Sequence, residues 1–131
     1  MTMARILIAD DDEDLAWAWS RALTGQGHSC TAVHNGRDAR ALLQATPYDL
    51  LIADILMPNG GGVLLAGFRD ALYPNVKILI VTGAAKFEDW TESGSDVKGA
   101  EQTLFKPVSN EVLFRTVNDL VGSGPENALA G

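Results

Sequence analysis

The sequence has one cysteine, two histidines, ten basic residues against seventeen acidic ones, and no long apolar run. Each shortage closes off a class of protein. A lone Cys30 rules out an internal disulfide and reads as a buried structural thiol. Cysteine and histidine form no cluster that could hold zinc; His28 and His34 read as surface or strand residues. A formal net charge of −7 argues against a nucleic-acid-binding surface on this chain, which would need a basic patch. No apolar stretch approaches the roughly 20 residues of a membrane span. Met1-Thr2-Met3-Ala4-Arg5 leads straight into a core strand, not a signal peptide. The expectation is a cytoplasmic protein with no membrane partner.

At 131 residues and 47% hydrophobic content, the chain suits one domain with a real core. Apolar runs of strand length alternate with stretches of helical period. The strands are expected near residues 5–9, from His28 to His34, up to Asp54, from Val76 to Thr82, and near 102–105. Asp12 is a plausible cap for a first helix whose Leu15, Ala18, Trp19, Ala22 and Leu23 share a face, and Gly25 and Gly27 stop it. Ala39, Leu42 and Leu43 mark a second helix, ended before Pro47. Leu64, Leu65, Phe68, Ala71 and Leu72 mark a third. Residues 84–100 contain Gly94 and predict only a weak fourth helix. Ser109 caps a last helix with Leu113, Phe114, Val117, Leu120 and Val121 on one side. Five strand–helix repeats imply an α/β fold, a doubly wound (βα)5 three-layer sandwich around a five-stranded parallel sheet. Residues 1–121 form the domain and 122–131 a flexible tail on this reading.

The chemistry lies at the strand ends. Arg5-Ile6-Leu7-Ile8-Ala9 runs into Asp10-Asp11, Leu50-Leu51-Ile52-Ala53 into Asp54, Val76-Lys77-Ile78-Leu79-Ile80-Val81 into Thr82, and Thr103-Leu104-Phe105 into Lys106-Pro107. In an open α/β sheet that end is where ligands collect. A carboxylate closing a buried strand is costly, and three together demand a cation or shifted pKa values. Hard oxygen ligands suit Mg²⁺. A lysine and a hydroxyl donor complete a phosphoryl-transfer site with Asp54 as nucleophile.

With these residues in this order, and Met57-Pro58 after Asp54, the chain resembles the receiver domains of two-component response regulators over roughly residues 4–121. The resemblance implies a flavodoxin-like fold and a signalling phospho-acceptor, not an enzyme beyond modest self-phosphorylation and autodephosphorylation. It implies Asp54 as phosphoacceptor, Asp10, Asp11, Asp54 and the Leu56 carbonyl around Mg²⁺, Thr82 and Lys106 as the phosphoryl-binding switch, and a cis bond before Pro107. The partner would be a sensor histidine kinase or a histidine phosphotransfer protein. A homodimer could form through the face made by the fourth helix, fifth strand and last helix. Trp17, about 200° around its helix from Leu15, is a candidate partner contact, with flank packing as the other reading.

Several residues depart from the family pattern. Thr103 stands where an aromatic is usual, and Gly60-Gly61-Gly62 predicts a loop more flexible than the norm. Leu56 is apolar and Ala84 small at the positions two beyond Asp54 and Thr82; Leu56 is expected to hinder water and lengthen the phosphoryl lifetime. Two competitors remain. A haloacid-dehalogenase-like phosphatase would use an Asp-x-Asp at the first strand, which Asp10 and Asp12 imitate, but its later acidic motif and cap are missing. A degenerate receiver would bind partners without phosphorylation. A calcium loop at Asp10, Asp12 and Asp14 fails, because Leu15 and Arg21 sit where Gly and Glu are needed. For Asp12, Glu13 and Asp14, a solvated helix start is the better reading.

Overall fold

The computed structural model describes residues 3–73, 75–83 and 99–122. Five strands, β1 (Arg5–Ala9), β2 (Ser29–Val33), β3 (Leu50–Ala53), β4 (Lys77–Gly83) and β5 (Gln102–Lys106), form one sheet, every pair parallel, in the order β2-β1-β3-β4-β5. The helices are α1 (Glu13–Gly25), α2 (Gly36–Ala45), α3 (Gly62–Leu72) and α4 (Asn110–Val121). The weak helix expected over 84–100, Ala84 within it, and the tail from Ser123 lie mostly or wholly outside the described residues. So does the side chain of Leu64. No helix among the described residues is long and apolar enough to cross a membrane.

Strand geometry turns the near-continuous apolar runs into two cores. Successive side chains point to opposite faces. Leu7, Ala9, Leu51, Ala53, Ile78 and Ile80 therefore pack with α2 and α3, while Ile6, Ile8, Leu50, Ile52, Leu79 and Val81 pack with α1 and α4. Both faces are covered, which is why these strands do not alternate with polar residues.

Local signals set the helix starts. The side chains of Asp12, Asn35 and Ser109 accept from the amides of Leu15, Asp38 and Val112, giving unpaired first-turn donors a partner. Two helix faces differ from expectation. In α1 the buried positions are Ala16, Trp19 and Leu23, and Ala18 is exposed. Ala18 lies two residues, about 200°, from Ala16 and so faces solvent. In α3, Leu65, Ala66 and Arg69 are buried and Phe68 is half-buried, but Ala71 and Leu72 are exposed. Leu72 ends that helix and borders an open hollow with Leu43, Tyr48 and Val76.

The glycine loop makes close approaches that only glycine permits. Asn59 and Gly60 have φ of 61° and 102°, the left-handed region where a side chain is strained. A Cβ on Gly61 would stand 1.6 Å from the Ile55 carbonyl oxygen, and one on Gly36 would stand 2.1 Å from that of Gly60. The glycines permit close packing of the loop against β3's exit and the start of α2. The Gly36 amide and the Arg40 guanidinium donate to the Pro58 and Asn59 carbonyls, both at 2.9 Å.

Candidate functional site

The chain winds outward from β1 to β2 and then crosses back to β3. The strand order thus reverses between β1 and β3, opening a crevice at their C-terminal ends. Asp10 and Asp54 are the first residues beyond those two strands. Their amides extend the ladders by one step, Asp10 N–H to the Val33 carbonyl and Asp54 N–H to that of Ala9, both at 3.1 Å. Asp12 turns the chain into α1 at once, and its amide donates to Asp10 Oδ1 at 2.9 Å.

Side-chain oxygens of Asp10, Asp11 and Asp54 lie within 4.8 Å of one another. Lys106, at the end of β5, donates to Asp10 Oδ2 at 2.8 Å and to Asp54 Oδ2 at 2.9 Å. From β4, the Thr82 hydroxyl donates to Asp54 Oδ1 at 3.0 Å. The Leu56 amide approaches the same oxygen at 3.4 Å, and its side chain is exposed. The Lys106–Pro107 bond is cis. Asp10, Asp11, Asp54, Thr82 and Lys106 therefore meet, and Leu56 borders them. Trp17 stands apart: it is 61% exposed on α1, with the Arg21 guanidinium 4.9 Å from its ring centroid.

The electrostatics are unbalanced, with three carboxylates facing one ammonium. Burial pushes the Asp10 carboxyl up from its ordinary value and the Asp54 charge adds to this; hydrogen bonds from Lys106 and the Asp12 amide only partly oppose it. Burial works against the Lys106 ammonium as well, but its hydrogen bonds to Asp10 and Asp54 outweigh it and hold its pKa above the usual lysine value. Both ends of this ion pair move upward because Asp10 is the deeper group: desolvation rules the acid, and charge pairing rules the base. A cluster of hard oxygen donors carrying surplus negative charge fits a divalent cation such as Mg²⁺.

His34 also touches the site. Its Nδ1 lies 3.1 Å from the Asp10 carbonyl; a carbonyl only accepts, so Nδ1 donates. Nothing in the spacing of β2 points to that contact. His28 is buried, not a surface residue, with Nδ1 accepting from the Ala4 amide at 3.2 Å.

Residues 6–118 match the family model of the response regulator receiver domain, and the chain belongs to that family. Among its relatives, the response regulator receiver protein CpdR of Brucella abortus (strain 2308) is 40% identical over 119 residues, covering 91% of this chain and 98% of that protein. A CheY-like receiver domain structure from Methanospirillum hungatei JF-1 superposes with a TM-score of 0.82 at 25% identity, covering 99% of this chain and 100% of that one. The structure of TrrA from Thermotoga maritima, solved with Mg²⁺ and BeF, has a TM-score of 0.76 at 26% identity, covering 90% of this chain and 99% of TrrA. Receiver domains are signalling proteins of two-component systems, not enzymes in the ordinary sense.

Proposed function

We propose that Asp54 accepts a phosphoryl group from a phosphohistidine of a sensor histidine kinase or phosphotransfer protein, and that the resulting acyl phosphate switches the domain. The observation that carries this is the hold on one carboxylate: Thr82 grips one Asp54 oxygen and Lys106 the other. An Asp54 oxygen attacks phosphorus, the P–N bond breaks, and the imidazole nitrogen keeps the electron pair and takes a proton. Asp10, Asp11, Asp54 and the Leu56 carbonyl would hold Mg²⁺. Once bound, Mg²⁺ neutralises charge on the phosphoryl oxygens. Lys106 then turns from the carboxylates to the new phosphoryl group, and the Thr82 hydroxyl donates to it. That added charge must favour one conformation over another for a signal to pass.

The phosphatase reading loses ground to one contact. Asp12 Oδ1 accepts from the Leu15 amide, so it serves as a helix cap and not as the second carboxylate of an Asp-x-Asp pair. On the proposed reading residues 1–121 are the receiver and 122–131 a tail, and the protein works in the cytoplasm. Output runs through protein contacts, including homodimerisation on the face around β5 and α4. The exposed Trp17 is a candidate donor contact; a normal phosphotransfer rate in Trp17→Ala would remove it. The main test is intact mass after incubation with a small acyl phosphate and Mg²⁺. One added phosphoryl group, absent from Asp54→Asn, supports the reading, and no gain in the wild type overturns it.

A further inference from the structure

Arg69 is buried like Asp10, at 5% exposure, but it belongs to the opposite edge of the sheet. A buried guanidinium needs a partner for its charge and acceptors for its donors. From α3, its Nη1 donates to the Val76 carbonyl at 2.6 Å and to Glu101 Oε1 at 2.9 Å, and its Nη2 donates to the Gly99 carbonyl. Val76 leads into β4, and Gly99 and Glu101 lead into β5. One side chain therefore holds the entrances of both strands.

Glu101 is itself tied to β4. Its amide donates to the Ile78 carbonyl at 2.9 Å, and its Oε1 accepts from the Ile78 amide at 2.5 Å. The β4–β5 ladder begins at the next pair, Leu79 with Gln102, and runs to Gly83 with Lys106. β5 is an edge strand with one neighbour, so a single ladder resists a slip, and a slip of one residue would turn every side chain to the other face. Inside β5, Thr103 adds little to that resistance. Its hydroxyl is buried and finds no hydrogen-bond partner among the described residues. The far ends of the two clamped strands carry Thr82 and Lys106. At its other end, α3 is fixed to the site, since the Gly62 amide donates to the Asp54 carbonyl at 2.7 Å.

We propose that the Arg69–Glu101 pair is a register lock, a positioning element that sets where β5 delivers Lys106 against Asp10 and Asp54. This rests on the proposed role of Asp54. Lys106 lies about 16 Å along the strand from Glu101, so the lock acts through the strand and not by contact with the phosphoryl group.

The test is Glu101→Gln, with two readouts. The first is the NMR signal of the Lys106 ammonium with Mg²⁺ absent. The second is the rate of phosphorylation by acetyl phosphate, measured in the wild-type and Lys106→Ala backgrounds. The lock predicts a shifted Lys106 signal and a rate loss of about tenfold in the wild-type background that shrinks below about twofold without Lys106, since groups acting through one another are not additive. An unchanged Lys106 signal, or the same fold-loss in both backgrounds, overturns it. If Glu101→Gln does not fold, Glu101→Asp, which keeps the charge and shortens the reach, carries the same comparison. A wild-type chain that takes no phosphoryl group removes the proposed function, while the Lys106 signal still decides the lock.

Discussion

Each edge of the sheet holds an ion pair with one deeply buried member, Arg69 at one edge and Asp10 at the other, and the two differ in balance. At the N-terminal edge, Arg69 faces Glu101 and two backbone carbonyls among the described residues, so a positive charge meets a negative charge and neutral acceptors. At the C-terminal edge, Lys106 is shared by Asp10 and Asp54 with Asp11 beside them. The first arrangement is satisfied within the chain. The second keeps surplus negative charge and a buried carboxyl pushed toward its neutral form. A balanced pair acts as structure, whereas an unbalanced one is ready for a cation or a change of charge state.

The largest expected effect tests the balanced end. Arg69→Met takes from Glu101 its cation and from two carbonyls this donor, and should cost about 3 kcal/mol of stability, equally with and without Mg²⁺; denaturant titration in both conditions checks this. At the unbalanced end the sign reverses. Asp10→Asn should raise the metal-free melting temperature by about a few °C, because it removes a charge that burial disfavours, and should abolish the rise that Mg²⁺ gives the wild type. A melting temperature lowered by Asp10→Asn would show that its pairing with Lys106 outweighs its burial.

Smaller still is the effect at Leu56. Its amide lies 3.4 Å from Asp54 Oδ1 and its side chain is exposed, and Leu56→Asn should speed decay of the phosphorylated protein by about tenfold, roughly 1.4 kcal/mol in barrier. An unchanged decay rate in a time course of intact mass would end the proposal that Leu56 shields the phosphoryl group. The smallest effect belongs to neither ion pair. Burial lowers the His28 pKa from its ordinary 6.5, so the unfolded chain takes up the proton first as pH falls. The stability that neutral His28 supports is full above 6.5 and is lost below it. The denaturation midpoint should fall slightly from pH 7 to pH 5, and less in His28→Asn, whose amide oxygen can still accept from Ala4.

The unbalanced edge was far more legible in the sequence than the balanced one. Asp10, Asp54, Thr82 and Lys106 each interrupt or close an apolar run, and strand ends in a parallel sheet converge, so pattern alone brought them together. The parallel sheet covered on both faces followed from the alternation of strands and helices, whereas the strand order comes from the structure. Arg69 was invisible for the opposite reason. It sits four residues beyond Leu65, on the buried face, where a charged side chain reads as a break in the stripe. Besides Val76, its partners Gly99 and Glu101 lie 30 and 32 residues away and reach it only through tertiary packing. At Gly61 and Gly62 the composition records conformational freedom and not the atoms that crowd a missing Cβ. Ala16 and Ala18 are chemically alike, so only the docked helix decides between them.

The most direct measurement is the position of the transferred group. After incubation with acetyl phosphate and Mg²⁺, borohydride reduces an aspartyl phosphate to homoserine, which marks the residue in a peptide map. The account predicts homoserine at position 54 alone, and none when Mg²⁺ is chelated. Homoserine at position 10 or 11, or phosphate retained on His28 or His34, would contradict it.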